Sequence, residues 1–260
     1  MKKYILILIF LNLMINNSFA NNSDKLVQEI YGTDNQQKFS YHHPSYIIFG
    51  YHDAKLQFSF KYSLSRKQPI YFGYSQLNIW NIYKTSQPFR DINFGPEIFY
   101  RLIDSGEKSL STLDMGYIHL SNGKDHLDSR SLDRVYLRSN FSEKFRRHYI
   151  NLNLMVYKIF NPDAPNNDIE KHLGFWEMTA LFSDLLVFTT SSISLEYRVY
   201  AGARGYDFDQ GANQVGLIWD FKSENISPSI YFQFFSGFSE SLITYNQKSE
   251  QYRLGLMLTF

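Results

Sequence analysis

His119, Ser121 and Asp133 stand at spacings that could bring all three side chains together on one hairpin. Two residues is the repeat at which side chains return to the same face of a β-strand, so His119 and Ser121 point the same way if their segment is extended. An imidazole beside a hydroxyl can take its proton, and an acceptor on the other ring nitrogen fixes the tautomer. The trio therefore supplies a nucleophile, a general base and an orienting carboxylate for acyl transfer. The same residue types are ordinary on the polar rim of any sheet, and H-x-S is a weak pattern. Residue identity alone leaves both readings open.

The elements that must position them are strands. Over 111–121, Leu113, Met115, Tyr117, His119 and Ser121 share one face, with Thr112, Asp114 and Gly116 on the other. Across the next turn Ser131, Asp133, Val135 and Leu137 share a face, while Arg134 and Arg138 point the opposite way. Antiparallel pairing at a constant index sum puts Met115 opposite Leu137 and His119 opposite Asp133, with Cβ atoms ~4.5–5.5 Å apart. The apolar members mark this face as outward. The same period-two alternation recurs from Gln57 to Leu64, Ile150 to Val156 and Ile193 to Ala201. Taken alone it suits a soluble sandwich as well as a barrel with a polar lumen.

The two ends of the chain decide between these. Met1-Lys2-Lys3, the apolar run Tyr4 to Ile15 and Ser18-Phe19-Ala20 read as a secretory signal peptide over 1–20. At the other end Tyr252, Leu254, Leu256, Leu258 and the terminal Phe260 share one parity, as in the closing strand of an outer-membrane barrel. After the first segment no run approaches the ~20 apolar residues of a membrane helix. Aromatics are nevertheless abundant, with 20 Tyr, 23 Phe and 3 Trp, and the mean hydropathy is −0.33. Aromatic girdles without helical spans fit a transmembrane barrel. The absence of cysteine excludes a disulfide framework and thiolate chemistry. A net charge of +1 offers nothing to attract nucleic acid.

About twelve strands are expected, near 45–51, 55–64, 69–79, 92–103, 111–121, 131–140, 148–159, 173–182, 191–202, 212–221, 227–236 and 250–260. The fold class is thus all-β, a twelve-stranded antiparallel transmembrane β-barrel over 44–260, preceded by a loose segment at 21–43. An even count puts both termini on the periplasmic side. Long connections at 80–90, 122–130, 160–172, 203–211 and 237–249 then face outward, and short ones, such as Ser183-Asp184 and Lys222 to Ile226, face inward.

His119-Leu120-Ser121-Asn122-Gly123-Lys124, followed by Ser129-Arg130-Ser131-Leu132-Asp133-Arg134, closely resembles the signature of the outer-membrane phospholipase A family. Tyr74-Ser75-Gln76 and Ser86-Gln87-Pro88-Phe89-Arg90 match it as well. The resemblance implies a calcium-dependent phospholipase A1/A2 of the bacterial outer membrane, active as a homodimer on glycerophospholipids. It implies Ser121 as nucleophile, His119 as base and the N–H of Gly123 as oxyanion donor. Asp133 stands where the family usually has Asn, and a carboxylate can orient the imidazole at least as well.

For calcium, the resemblance implies the side chain of Ser129, the carbonyl of Lys124 in place of an Arg, and the carbonyl of Ser86 given by the partner subunit. His126 replaces a common acid, which leaves a second calcium site unsupported; the loop acids Asp125 and Asp128 are read as solvated. Gln76 shares parity with Phe72 and Tyr74 and so faces lipid, where an amide needs a partner. The resemblance places that glutamine at the dimer interface. The competing readings are a non-catalytic barrel acting as a narrow pore or scaffold, and a barrel deacylase of lipopolysaccharide, against which the twelve-strand count argues.

Overall fold

The computed structural model describes residues 39–105, 110–145, 148–203, 205–207, 209–221 and 228–258. The expected signal peptide, most of the segment 21–43, the inner connection at 222–226 and the terminal Phe260 lie outside these residues. The strands are β1 Phe39–Ser40, β2 Ser45–Gly50, β3 Ala54–Ser63, β4 Ile70–Trp80, β5 Phe89–Asp104, β6 Leu110–Ser121 and β7 Ser131–Phe145. They continue as β8 His148–Phe160, β9 Trp176–Val187, β10 Ser191–Tyr200, β11 Ala212–Phe221, β12 Ser229–Gly237 and β13 Ser249–Leu258.

Each strand from β2 to β13 pairs antiparallel with its sequence neighbours, and β13 returns to pair with β2. The ring is closed, with no free edge. Closure matters because a strand in hydrocarbon must satisfy every backbone N–H and C=O within the protein. The two-residue β1 shares the β2 edge of β3, pairing Phe39 with Tyr62. It prolongs the first barrel strand rather than adding a thirteenth.

Burial turns the usual pattern inside out. Lys55, Glu97, Arg101, Asp114, Arg134, Arg138, Glu196, Gln233 and Arg253 are buried, while Met115, Val135, Leu137, Ile98, Val156, Leu217, Leu254 and Leu256 are exposed. A sandwich in water would bury the second set. Here the apolar side chains meet lipid and the charged ones fill the lumen, which settles the choice left open by alternation. Most of these lumen charges are paired, while Arg134 lies over the ring of Tyr157. Arg253 Nε donates to Asp53 Oδ1 at 2.8 Å and its Nη1 donates to Glu240; Arg101 Nε donates to Asp114 Oδ1 at 2.9 Å. A buried ion left without its partner would be strongly destabilising.

Three boundaries differ from the sequence expectation. Ser183 and Asp184 do not form a turn: β9 continues through them to Val187, and the connection falls at 188–190. Asp184 is a left-handed residue (φ 55°) beside a register shift between Ile193 and Leu195, so an irregularity of pairing was read as a turn. Its exposed backbone groups are met by Ser194 Oγ and His148 Nδ1. Second, β5 and β7 extend past the apolar band because ladder hydrogen bonds continue where the side chains become polar. Third, residues 39–43 are part of the barrel, with Tyr41 and His42 buried in it.

Candidate active site

β6 and β7 pair in the expected register, with Met115 opposite Leu137, His119 opposite Asp133 and Ser121 opposite Ser131. His119 Nδ1 lies 2.8 Å from Asp133 Oδ1. An Nδ1–H donated to the carboxylate leaves Nε2 free as a base, on the side of the ring away from Asp133. Asp133 also accepts from Tyr117 Oη at 2.7 Å and from Asn161 Nδ2 at 3.1 Å. Three donors thus hold one carboxylate, a strongly favourable arrangement for its charged form. Ser121 Oγ has no hydrogen-bond partner among the described residues. Contacts between base and nucleophile often tighten only once substrate is bound.

The loop after Ser121 is wound around Asn122, whose side chain is buried. Its amide donates to the carbonyl of Asp128 at 2.9 Å, and its Oδ1 accepts from the N–H of Arg130 at 2.9 Å. Gly123 follows at φ 61°, where a built Cβ would come within 3.0 Å of the Phe94 ring, so both conformation and space require glycine. The Gly123 N–H has no acceptor among the described residues. Lys124 is tied to the start of β5 through Nζ to the carbonyl of Arg90 at 2.8 Å.

Ser129 Oγ donates to Asp163 Oδ2 at 2.6 Å. That contact brings a carboxylate, contributed by the loop after β8, to a serine that otherwise offers only a hydroxyl. Oxygen donors with one anionic member suit a hard cation such as Ca²⁺. Ser86 is exposed in the loop between β4 and β5 and makes no hydrogen bond with Ser129 or Lys124.

Gln76 lies on the lipid-facing side of β4 opposite Phe94, and Phe94 lies opposite Ser121. Two inter-strand spacings of ~4.8 Å, with β5 between, therefore separate the glutamine from the serine along one row. The amide is not isolated, as its sequence position suggested. Gln76 Oε1 accepts from Tyr74 Oη at 2.8 Å, and Nε2 donates to Asn78 Oδ1 at 2.8 Å. This ladder meets part of the desolvation penalty within the strand, leaving one amide hydrogen and further acceptor capacity for a partner.

Sequence reasoning missed Tyr117, Asn161 and Asp163. The parity of β6 already placed Tyr117 on the face of His119, so it was within reach. Asn161 and Asp163 come from a loop with no motif of its own. The former adopts a left-handed backbone (φ 48°), which asparagine tolerates better than most residues.

Comparison with known proteins gives a consistent set of relatives. A sequence profile of the family described as Phospholipase A1 matches residues 17–258. The phospholipase A1 of Salmonella typhimurium is 27% identical over 222 residues, covering 76% of this chain and 68% of that protein. That of Escherichia coli K12 is 26% identical, with the same coverage. A Neisseria meningitidis serogroup B protein, provisionally given that name, is 26% identical over 223 residues; the match covers 79% of this chain and 54% of that protein, so the chain spans about half of it. Among solved structures, outer membrane phospholipase A from Escherichia coli superposes with a TM-score of 0.69 at 23% identity, covering 84% of this chain and 97% of that one. The Salmonella typhi outer membrane phospholipase, a dimer with bound calcium, gives 0.69 at 22% identity, covering 91% and 96%. At such identities these likenesses bear on the fold.

Proposed function

The chain belongs to the phospholipase A1 family, and from that premise we propose that it hydrolyses acyl esters of glycerophospholipids at the bacterial outer membrane, as a serine-type A1/A2 enzyme. The observation that carries this reading is the 2.8 Å contact of His119 Nδ1 with Asp133, on the lipid-facing side of the strand that bears Ser121. His119 Nε2 takes the Ser121 proton as Oγ attacks the ester carbonyl. Asp133, held by Tyr117 and Asn161, keeps the imidazole in its tautomer and balances the imidazolium. The Gly123 N–H donates to the oxyanion. The imidazolium then protonates the departing lysophospholipid oxygen, leaving an acyl group on Ser121. Water, deprotonated by His119, attacks this ester and releases fatty acid and the free serine.

Ser129, Asp163, the carbonyl of Lys124 and the carbonyl of Ser86 of the partner subunit would hold Ca²⁺. When bound, it supplies positive charge close to the developing oxyanion. The dependence on a partner's carbonyl is the reason a homodimer, meeting across the face that carries Gln76, belongs to the proposal.

The purified chain, assayed for fatty-acid release from phosphatidylcholine–detergent mixed micelles, should turn over with Ca²⁺ and stop with chelator. Ser121→Ala should lose at least about 10³-fold in rate. Full turnover by Ser121→Ala would refute the mechanism.

A further inference from the structure

Consecutive residues of an extended chain point to opposite faces, so adjacent histidines in a barrel strand should place one ring in the lumen and one outside. His42 and His43 do not. They lie in the break between β1 and β2, where the pleat is interrupted, and their ring centroids are only 4.1 Å apart. The break is fixed rather than loose. Gln57 Nε2 donates to the carbonyl of Pro44 at 2.7 Å, Ser59 N donates to Ser45 Oγ at 3.2 Å, and His42 stacks on Phe99. Both imidazoles reach the same carboxylate on β5. His42 Nε2 contacts Glu97 Oε1, and one ligand atom from each of His42, His43 and Glu97 lies within 4.8 Å of the others.

Two ring nitrogens and a carboxylate oxygen are the donors of a borderline divalent cation. A tetrahedral Zn²⁺ site needs ligand atoms roughly 3.3 Å apart, a small adjustment of the side chains present here. The outer support of such a site is in place, since Glu97 Oε2 accepts from Tyr136 Oη at 2.6 Å, which fixes the carboxylate. Arg138 lies 3.5 Å from that same oxygen, but Asp114 also faces Arg138 and pairs with Arg101. Asp104 lies 3.7 Å from Arg101 as well, so Glu97 is not the sole counter-charge of these two guanidiniums. Both histidines line a lumen cavity of about 70 Å³, with room for a water as fourth ligand. Lys61 shares that wall and keeps the affinity below that of a dedicated structural zinc site.

We propose that His42, His43 and Glu97 form a transition-metal site inside the barrel, which takes Zn²⁺ and staples the segment ahead of β2 to β5. The site shares no residue with the triad or with the proposed calcium ligands, so it stands whether or not the hydrolytic reading does.

The test uses the full chain in detergent, stripped with chelator and then titrated calorimetrically with Zn²⁺. In parallel, Co²⁺ is followed by visible absorption. Wild type should take up one equivalent and give the absorption of four-coordinate Co²⁺. His43→Ala, at a half-buried position, and Glu97→Gln should each weaken uptake at least about 10-fold. His119→Ala, which removes the other histidine–carboxylate pair, should bind as wild type. No saturable uptake by wild type, or uptake indifferent to His43→Ala, would reduce the cluster to a hydrogen-bonded anchor. Loss in His119→Ala with retention in His43→Ala would move the ion to the triad and overturn the proposal. Should Glu97→Gln fail to fold, the comparison of wild type, His43→Ala and His119→Ala decides alone.

Discussion

One barrel wall separates two histidine–carboxylate clusters that solve opposite problems. Glu97 on β5 pairs with Ile118 on β6, and the next residue, His119, turns its side chain to the other face. Outside the wall, His119 is 41% exposed at its side chain and Ser121 has no partner among the described residues. Inside, Glu97 has a side-chain exposure of 2% and is met by His42, Tyr136 and Arg138. The outer cluster orders its carboxylate and leaves Ser121, the proposed nucleophile, open to a lipid. The inner one uses both of its carboxylate oxygens to hold the barrel together. On the proposed reading, the same residue types do chemistry on one face and structure on the other, and strand parity assigns which.

If that division is right, substitutions on the two faces should separate activity from stability. The largest effect belongs to His119→Ala. Removing the base should lower fatty-acid release by at least about 10³-fold while leaving the unfolding temperature in detergent within a degree or two of wild type, roughly the scale of a surface substitution. Arg253→Ala should do the reverse. It takes Arg253 from Asp53 and Glu240, which keep only Arg90 and Lys55, a loss of up to about 3 kcal/mol in stability, yet turnover per folded molecule should hold. Equal loss of turnover from both, at matched folding, would break the comparison.

A smaller effect sharpens the account of the outer face. Asp133 meets three donors. Asp133→Asn retains an acceptor oxygen for His119 Nδ1, as in the family's usual arrangement, and should lose less than about 10-fold in kcat. Asp133→Ala leaves the imidazole without an orienting partner and should lose about 10²-fold. Steady-state kinetics on the two variants measures the difference. Equal rates would mean that Asp133 does not set the ring.

The outer cluster was legible in the sequence because everything it needs from β6 and β7 follows from period two and one hairpin. Position 119 opposite 133 is arithmetic once the strands are recognised. The polar lumen was legible too, with Arg134 and Arg138 turned into it, but its pairings were not. Arg253 and Asp53 lie 200 positions apart and meet only because closure sets β13 against β2. His42 and His43 looked like part of a loose leader, since nothing in the local pattern says that residues 39–40 pair with β3. Asn161 and Asp163 escaped for a third reason. They stand in a loop whose path is set by contacts with two other loops, and loop paths carry no periodicity.

Those loop contacts supply the mildest test. Tyr245, from the loop after β12, donates to Asp168 Oδ1 at 2.5 Å, and Arg130 packs over its ring. This clasp joins the loop after β12 to the one that carries Asn161 and Asp163. The Tyr245 hydrogen bond holds the Asp168 carboxyl below the usual carboxylate range. Burial first, and then the bond to Asp168, push the Tyr245 hydroxyl up to about 12. A depressed carboxyl contributes stability above its unfolded value of about 3.9 and loses it as pH falls through the folded one. A raised phenol contributes fully below about 10 and loses it as pH climbs towards its folded value. The clasp is therefore intact across the neutral range and opens only at the two extremes. Asp168 is 38% exposed at its side chain, so solvent screening limits the contribution to about 0.5 kcal/mol. Tyr245→Phe should raise amide exchange in residues 161–175 about twofold at neutral pH, and the difference from wild type should narrow as pH falls through the depressed range in which Asp168 takes up its proton. A difference that persisted there would assign the clasp to ring packing against Arg130 instead of to the hydrogen bond.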